Sequence, residues 1–136
     1  MRFLHITPRL PVKSLSRTIS FYTEHLGFVI DVVWPDRQPT FALMRRDATT
    51  VGFFEQTEHH RGAIGDVELY VEVTGAAALH VFLLPRVPIE WGPEIYAYGR
   101  REFAIRDPDH YLIIFTEPTA ERSTTSEPEI DNDQSS

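Results

Sequence analysis

Tyr98-Gly99-Arg100-Arg101-Glu102-Phe103-Ala104-Ile105-Arg106-Asp107-Pro108-Asp109-His110-Tyr111-Leu112-Ile113-Ile114-Phe115 reads as a β-hairpin. Arg101 to Arg106 reads as one strand, Asp107-Pro108-Asp109 carries turn chemistry, and Tyr111 to Phe115 is a β-rich apolar run. Pro108 presets one backbone angle of the turn, and the flanking aspartates can accept bonds from nearby backbone N–H groups.

Working back to the start of the chain, Phe3 to Val12 suits a first strand, confined to an edge or to irregular pairing by Pro8 and Pro11. Ser14 can cap a helix whose apolar stripe is Leu15, Ile19, Tyr22 and Leu26. Gly27 stands where a left-handed C-terminal cap is wanted. Phe28 to Trp34, Thr40 to Arg45 and Thr49 to Gln56 follow as strands, with Arg46-Asp47-Ala48 as the last turn. Thr57 to Gly65 is a polar connector. The order then starts again. Asp66 to Val73 is a strand, Gly75 to Leu84 a helix, Val87 to Trp91 a strand and Gly92 to Gly99 a loop into the hairpin.

A faint repeat accompanies this order. At an offset of 61 positions Val12 meets Val73, Phe21 meets Phe82, Arg45 meets Arg106 and Phe54 meets Phe115. With two strand–helix–strand–strand–strand passes, these matches suggest duplicated βαβββ modules. The motif Gly99-x-Arg101-Glu102-Phe103-x-x-Arg106-Asp107-Pro108-Asp109 resembles the closing hairpin of vicinal-oxygen-chelate proteins, most of all their bleomycin-resistance branch. The superfamily also contains glyoxalase I and extradiol dioxygenases. The resemblance implies an α+β fold in which two βαβββ modules, residues 1–56 and 66–117, form a curved mixed sheet with a concave cleft. Residues 1–117 would then be one domain.

Composition narrows the function classes. With 136 residues, 24% charged and 12% aromatic, the chain suits one globular domain. It has no cysteine, hence no disulfide framework and no thiolate chemistry. No apolar run reaches the roughly 20 residues of a membrane span, and no secretory leader is evident, so a cytoplasmic location is expected. Net charge is −7, with five acids against one base from Pro118 onward. That stretch, 118–136, is read as an acidic disordered tail. The remaining charge is too acidic for a nucleic-acid partner. No nucleophile elbow, P-loop or dinucleotide fingerprint is present.

Strand parity assigns the faces. Ile6, Leu10 and Val12 are expected in the core with His5, Thr7 and Arg9 in the hollow. Val67, Leu69, Val71 and Val73 are expected in the core with Glu68, Tyr70 and Glu72 in the hollow. Phe54 and Phe115 go to the core, leaving Phe53, Glu55, Ile114 and Thr116 facing inward. The candidate ligand-binding residues are therefore Trp34, Glu68, Tyr70, Glu72, Trp91 and Tyr98, an aromatic wall with a little negative charge. Taken singly, each also suits a structural role: a solvated carboxylate, a half-buried ring or a core indole.

Metal-dependent members of the family hold one divalent ion with a His or Gln on the first strand and a Glu on the last strand of each module. Carried over, those positions are Thr7, Phe53, Glu68 and Ile114, of which only Glu68 is a good ligand. A two-residue slip would offer His5 and Glu55 beside Glu68, against the register set by the apolar faces. His59, His60 and His110 read as solvated loop histidines. No metal, no cofactor and no catalytic residue are therefore expected. The expectation is a metal-free binder of a small aromatic or cationic molecule, working as a homodimer whose cleft lies between modules. The alternatives are a divalent-metal lyase or dioxygenase of the same superfamily, and an interaction module that holds a peptide or partner chain.

Overall fold

A computed structural model of the chain describes residues 1–58 and 61–120. It divides into two compact units, Met1–Val67 with Asp107–Tyr111, and Glu68–Arg106 with the chain from Leu112 onward. The first unit runs β1 (Arg9–Val12), α1 (Leu15–Leu26), β2 (Val29–Trp34), β3 (Phe41–Arg46) and β4 (Thr49–Glu55). The second runs β5 (Glu68–Glu72), α2 (Ala76–Leu83), β6 (Trp91–Tyr96), β7 (Arg100–Arg106) and β8 (Leu112–Pro118). Each has a four-stranded sheet, ordered β1-β4-β3-β2 and β5-β8-β7-β6. In both, the first and last strands of the module pair in parallel and the other neighbours are antiparallel. The architecture is the α+β one expected, twice βαβββ, with neither sheet closed on itself.

Local chemistry explains where α1 begins and ends. The Ser14 hydroxyl accepts the Arg17 N–H (3.3 Å), and Gly27 closes the helix at φ +70°, a conformation open to glycine. Leu15, Thr18, Tyr22 and Leu26 form the buried stripe. The start of each helix is held by a carboxylate from the last strand of its own module. The Leu15 N–H donates to Glu55 Oε2 (2.8 Å). The Gly75 and Ala76 N–H groups donate to Glu117 Oε2 and Oε1 (2.8 and 2.9 Å). Gly75 has no side chain to cap α2, so Glu117 takes that part, and a negative charge suits a helix N-terminus.

Several sequence expectations are corrected. The first strand begins at Arg9, and Phe3 and Ile6 are exposed. In the parallel register Arg9 lies beside Gly52, so β4, which starts at Thr49, has no residue to offer anything before Ile6. Val67 likewise falls outside β5 and is exposed. The sixth strand is Trp91–Tyr96, not Val87–Trp91. Gly92-Pro93 marks a register shift in an edge strand where the sequence suggests a loop, and pairing resumes at Glu94.

A further correction matters most for the site. Phe53, expected to face the hollow, is fully buried and packs on Tyr22 of α1, with ring centroids 4.7 Å apart. Phe54 instead pairs with Phe41 on the other face. The register gives the cause. Leu10 sits beside Phe53 and Val71 beside Phe115, so the first strands of the modules correspond at an offset of 61 but the last strands at 62. The extra residue lies in the turn: β3 and β4 close through Arg46 to Thr49, β7 and β8 through Asp107 to Tyr111. A shift of one residue exchanges the two faces of a strand. At the end of the chain, β8 runs to Pro118 and the Thr119 N–H donates to the Gly99 carbonyl (2.9 Å), so ordered pairing enters the expected tail. Residues 121–136 of that tail, and His59 and His60, lie outside the described residues.

Candidate functional site

The face of the second sheet that turns away from α2 gathers most of the expected residues. Phe103 and Phe115, cross-strand partners, point toward α2, where His80 meets Phe103 edge-on at 5.3 Å. Strand alternation then sends Glu102 and Thr116, partners in the same ladder, to the opposite face. Glu102 is 4% exposed and Thr116 fully buried. Around the Glu102 carboxylate converge three hydroxyls: Tyr70, Tyr98 (2.8 Å) and Thr116 (2.9 Å) all donate to it. Burial of a carboxylate requires such donors.

The network continues outward. Arg100 Nε donates to Thr116 Oγ1 (2.8 Å), and its terminal nitrogen donates to Glu72 Oε1 (2.6 Å). The charge of Glu72 is therefore matched by Arg100. Burial raises the pKa of the Tyr98 and Tyr70 phenols above the ordinary tyrosine value, and the hydrogen bond to Glu102 adds to that. Both remain neutral donors at physiological pH. Beyond Tyr98 lies a row of rings. Tyr98 and Tyr96 stack at 5.6 Å with planes 4° apart, and Trp91 meets Tyr96 edge-on at 6.5 Å.

Of the six expected residues, Tyr70 and Tyr98 thus meet on one carboxylate, Glu72 joins them through Arg100, and Trp91 joins through Tyr96. Glu68 lies two positions before Tyr70 on the same face of β5. It forms no hydrogen bond to the others among the described residues. Sequence reasoning passed over Glu102. The signal was available, because a hairpin closing through Asp107 and Tyr111 places residue 102 opposite 116, and Thr116 was already assigned inward.

Trp34 belongs to a different place. On the first sheet, the face away from α1 carries a recess of about 490 Å³ lined by Arg9, Val32, Trp34, Thr40, Phe41, Phe54, Glu55 and Thr57. The Arg9 guanidinium lies over the Phe41 ring at 4.6 Å and near the Phe54 ring at 5.9 Å. Gly52 makes room for this crossing. A Cβ there would come within 3.2 Å of Arg9 Cγ and 3.5 Å of the Phe41 ring. The volume is within the range of small-molecule pockets, about 300–1,000 Å³.

The donor set does not fit the divalent ion that the family implies. Phe53 is directed at α1, and the position matching Ile114 at the corrected offset is Gly52, so neither last strand offers an oxygen or nitrogen ligand at the matched position. Glu55, the shifted candidate, is engaged by the Leu15 N–H. Among the described residues no group of three or more His, Asp or Glu is arranged to hold an ion.

Comparison with known proteins agrees with the fold. A family model described as Glyoxalase/Bleomycin resistance protein/Dioxygenase superfamily matches residues 2–115. A virulence protein from Salmonella typhimurium superposes with a TM-score of 0.70 at 25% identity, covering 88% of this chain and 100% of its own. TnmS3, an antibiotic binding protein from Streptomyces sp. CB03234, gives 0.72 at 20% identity over 88% and 99%. A lactoylglutathione lyase from Agrobacterium tumefaciens gives 0.68 at 16% over 83% and 92%. The curated proteins give no match.

Proposed function

The chain belongs to the glyoxalase/bleomycin resistance protein/dioxygenase superfamily, and from that membership we propose that it is a metal-free binding protein that sequesters a small aromatic molecule without transforming it. The single observation that carries the reading is the lack of a side-chain donor at two positions: Gly52 and Ile114 stand on the last strands where a metal enzyme of the family needs carboxylates. Rings furnish both sheet faces, Trp91, Tyr96, Tyr98 and Tyr70 on one and Trp34, Phe41 and Phe54 on the other. Flat guests gain area and quadrupole contact from such walls.

Of the two ligand properties expected, aromaticity is the better supported. Of the two carboxylates expected to draw a cation, Glu72 is paired with Arg100, which leaves Glu68 alone in that part among the described residues. An antibiotic binding protein, TnmS3, has the same fold, which supports small-molecule binding in this architecture. A homodimer that covers part of these open faces is part of the proposal, as is action within the cytoplasm.

The test is a fluorescence titration of the whole chain with a panel of flat aromatic compounds, neutral, cationic and anionic, followed by recovery of the ligand. Saturable quenching and unchanged ligand are expected. Metal analysis of the purified protein accompanies it, and one tightly held transition metal per chain overturns the reading in favour of a lyase or dioxygenase. Light scattering at several concentrations reports whether the chain pairs.

A further inference from the structure

We propose that the recess on the first sheet is selective for an aromatic carboxylate, with Arg9 as the anion-binding residue. This rests on the reading above that the chain is a small-molecule binder, and it names the ligand class that reading leaves open.

The argument begins with what Arg9 touches. Its guanidinium covers the Phe41 face, and among the described residues its N–H groups make no hydrogen bond and no ion pair. Arginine carries five donors in a rigid plane and no acceptor. Resting on a ring occupies one face of that plane and leaves the edge, where a carboxylate binds in a two-pronged manner. Arg9 is exposed, and because residue 52 beside it is glycine its side chain can lie across that gap onto Phe41.

The surroundings favour an anion with a flat apolar body. Trp34, Phe54 and Val32 supply apolar wall, and Thr40 adds a hydroxyl at the rim. Partial exclusion of water strengthens a charge-assisted pair relative to open solvent. Glu55 also lines the recess, but Leu15 N–H holds its Oε2 at the start of α1, where the helix dipole offsets its charge. Arg9 is the one cation of the lining, and among the described residues no ion pair joins it to Glu55.

Calorimetry with a matched pair of probes tests this: naphthalene-2-carboxylate and naphthalene-2-carboxamide, the same ring with and without the charge. The carboxylate is expected to bind the full chain about tenfold more tightly, the scale of one charge-assisted pair at a half-open site. Arg9→Gln should abolish that preference while the carboxamide still binds, and Arg9→Lys should retain part of it, since the charge stays and the fork is lost. The preference should shrink as salt is raised. Equal binding of the two probes by the natural chain overturns the assignment, as does a preference that survives in Arg9→Gln. If neither probe binds but a cationic or other neutral aromatic does, the anion assignment falls and the binding-protein reading stands. If no aromatic of any charge binds, both fall. Arg9→Lys keeps the charge in place should Arg9→Gln fold poorly.

Discussion

The Tyr22 hydroxyl donates to Asp107 Oδ2 at 2.9 Å, a buried bond between a helix and a turn 85 residues further along the chain. Both partners belong to the first unit, because the Asp107–Tyr111 turn is counted with it. The turn is bound there by more than this. The Tyr111 hydroxyl donates to the Pro11 carbonyl (2.6 Å), the Lys13 N–H donates to Asp109 Oδ1 (3.2 Å), and the Asp109 and Tyr111 N–H groups donate to Asp107 Oδ1.

Tyr22→Phe should therefore destabilise the chain by about 2 kcal/mol, the usual value of a hydrogen bond to a charged group. Burial raises the Asp107 pKa above the ordinary aspartate value, while the bonds from Tyr22 and the two N–H groups pull it down. Removing the phenol takes away one lowering cause, so the pKa rises further. An acid with a raised folded pKa loses stability as pH climbs from its unfolded value, about 3.9, through the folded one. The variant should show a steeper loss over that window. Urea midpoints from pH 3 to 7 check it, and equal slopes in the two proteins would rule the account out.

Glu117 has the opposite sign. The Gly75 and Ala76 N–H groups hold its pKa below the ordinary glutamate value. Its contribution is complete above the unfolded pKa and disappears as pH falls through the folded one. Glu117→Gln should flatten the acid limb of the stability curve and loosen the first turn of α2. Hydrogen exchange at Ala76 and Ala77 reads the second effect directly.

Glu102→Gln leaves the shape of the hydroxyl cluster but removes its charge, and a cost of about 1–3 kcal/mol is expected. Tyr98 has a phenol raised first by burial and then by Glu102. Its stabilising effect is full below pH 10 or so and is lost as pH rises toward the folded value. With glutamine in place, phenolate absorbance should develop at lower pH and the alkaline limb should be shallower. An unshifted absorbance titration would remove Glu102 as the cause.

Gly92→Ala and Gly75→Ala separate two reasons for glycine. Both have positive φ, +82° and +77°. At Gly92 an added Cβ would overlap the Glu102 carbonyl oxygen and crowd Phe103, while at Gly75 nothing lies within 4 Å. Gly75→Ala should cost the backbone penalty alone, about 1–2 kcal/mol. Gly92→Ala should cost clearly more, because the steric overlap adds to it. Thermal midpoints of the two variants give the order, and similar losses would deny the overlap.

Much of this was legible in the residues. Ser14, the Leu15–Leu26 stripe and Gly27 define α1, since cap chemistry and periodicity are local. The alternation of Glu68, Leu69, Tyr70, Val71 and Glu72 placed the two carboxylates and Tyr70 together on the face away from α2. What failed depended on partners. Phe3 looks like a strand residue but lies beyond the reach of β4, and Ile6, level with the first residue of β4, stays exposed and outside the ladder. Gly92-Pro93 looks like a loop but is a bulge, because β7 offers a ladder on both sides of it. The Arg9 recess was half visible: Arg9 was assigned to the right face and Trp34 singled out, while Phe54 was turned to the wrong side by a one-residue error. Glu102 went unnoticed because a glutamate in a hairpin ordinarily faces water, and only its three hydroxyl partners reveal that it does not.

That single extra residue at the tip of the β7–β8 hairpin has an evolutionary consequence. Two copies descended from one ancestral half cannot be aligned without a gap placed there. An ungapped comparison pairs Phe54 with Phe115 and turns the final strand inside out, whereas a single indel at Pro108-Asp109-His110 pairs Phe53 with Phe115 and Gly52 with Ile114.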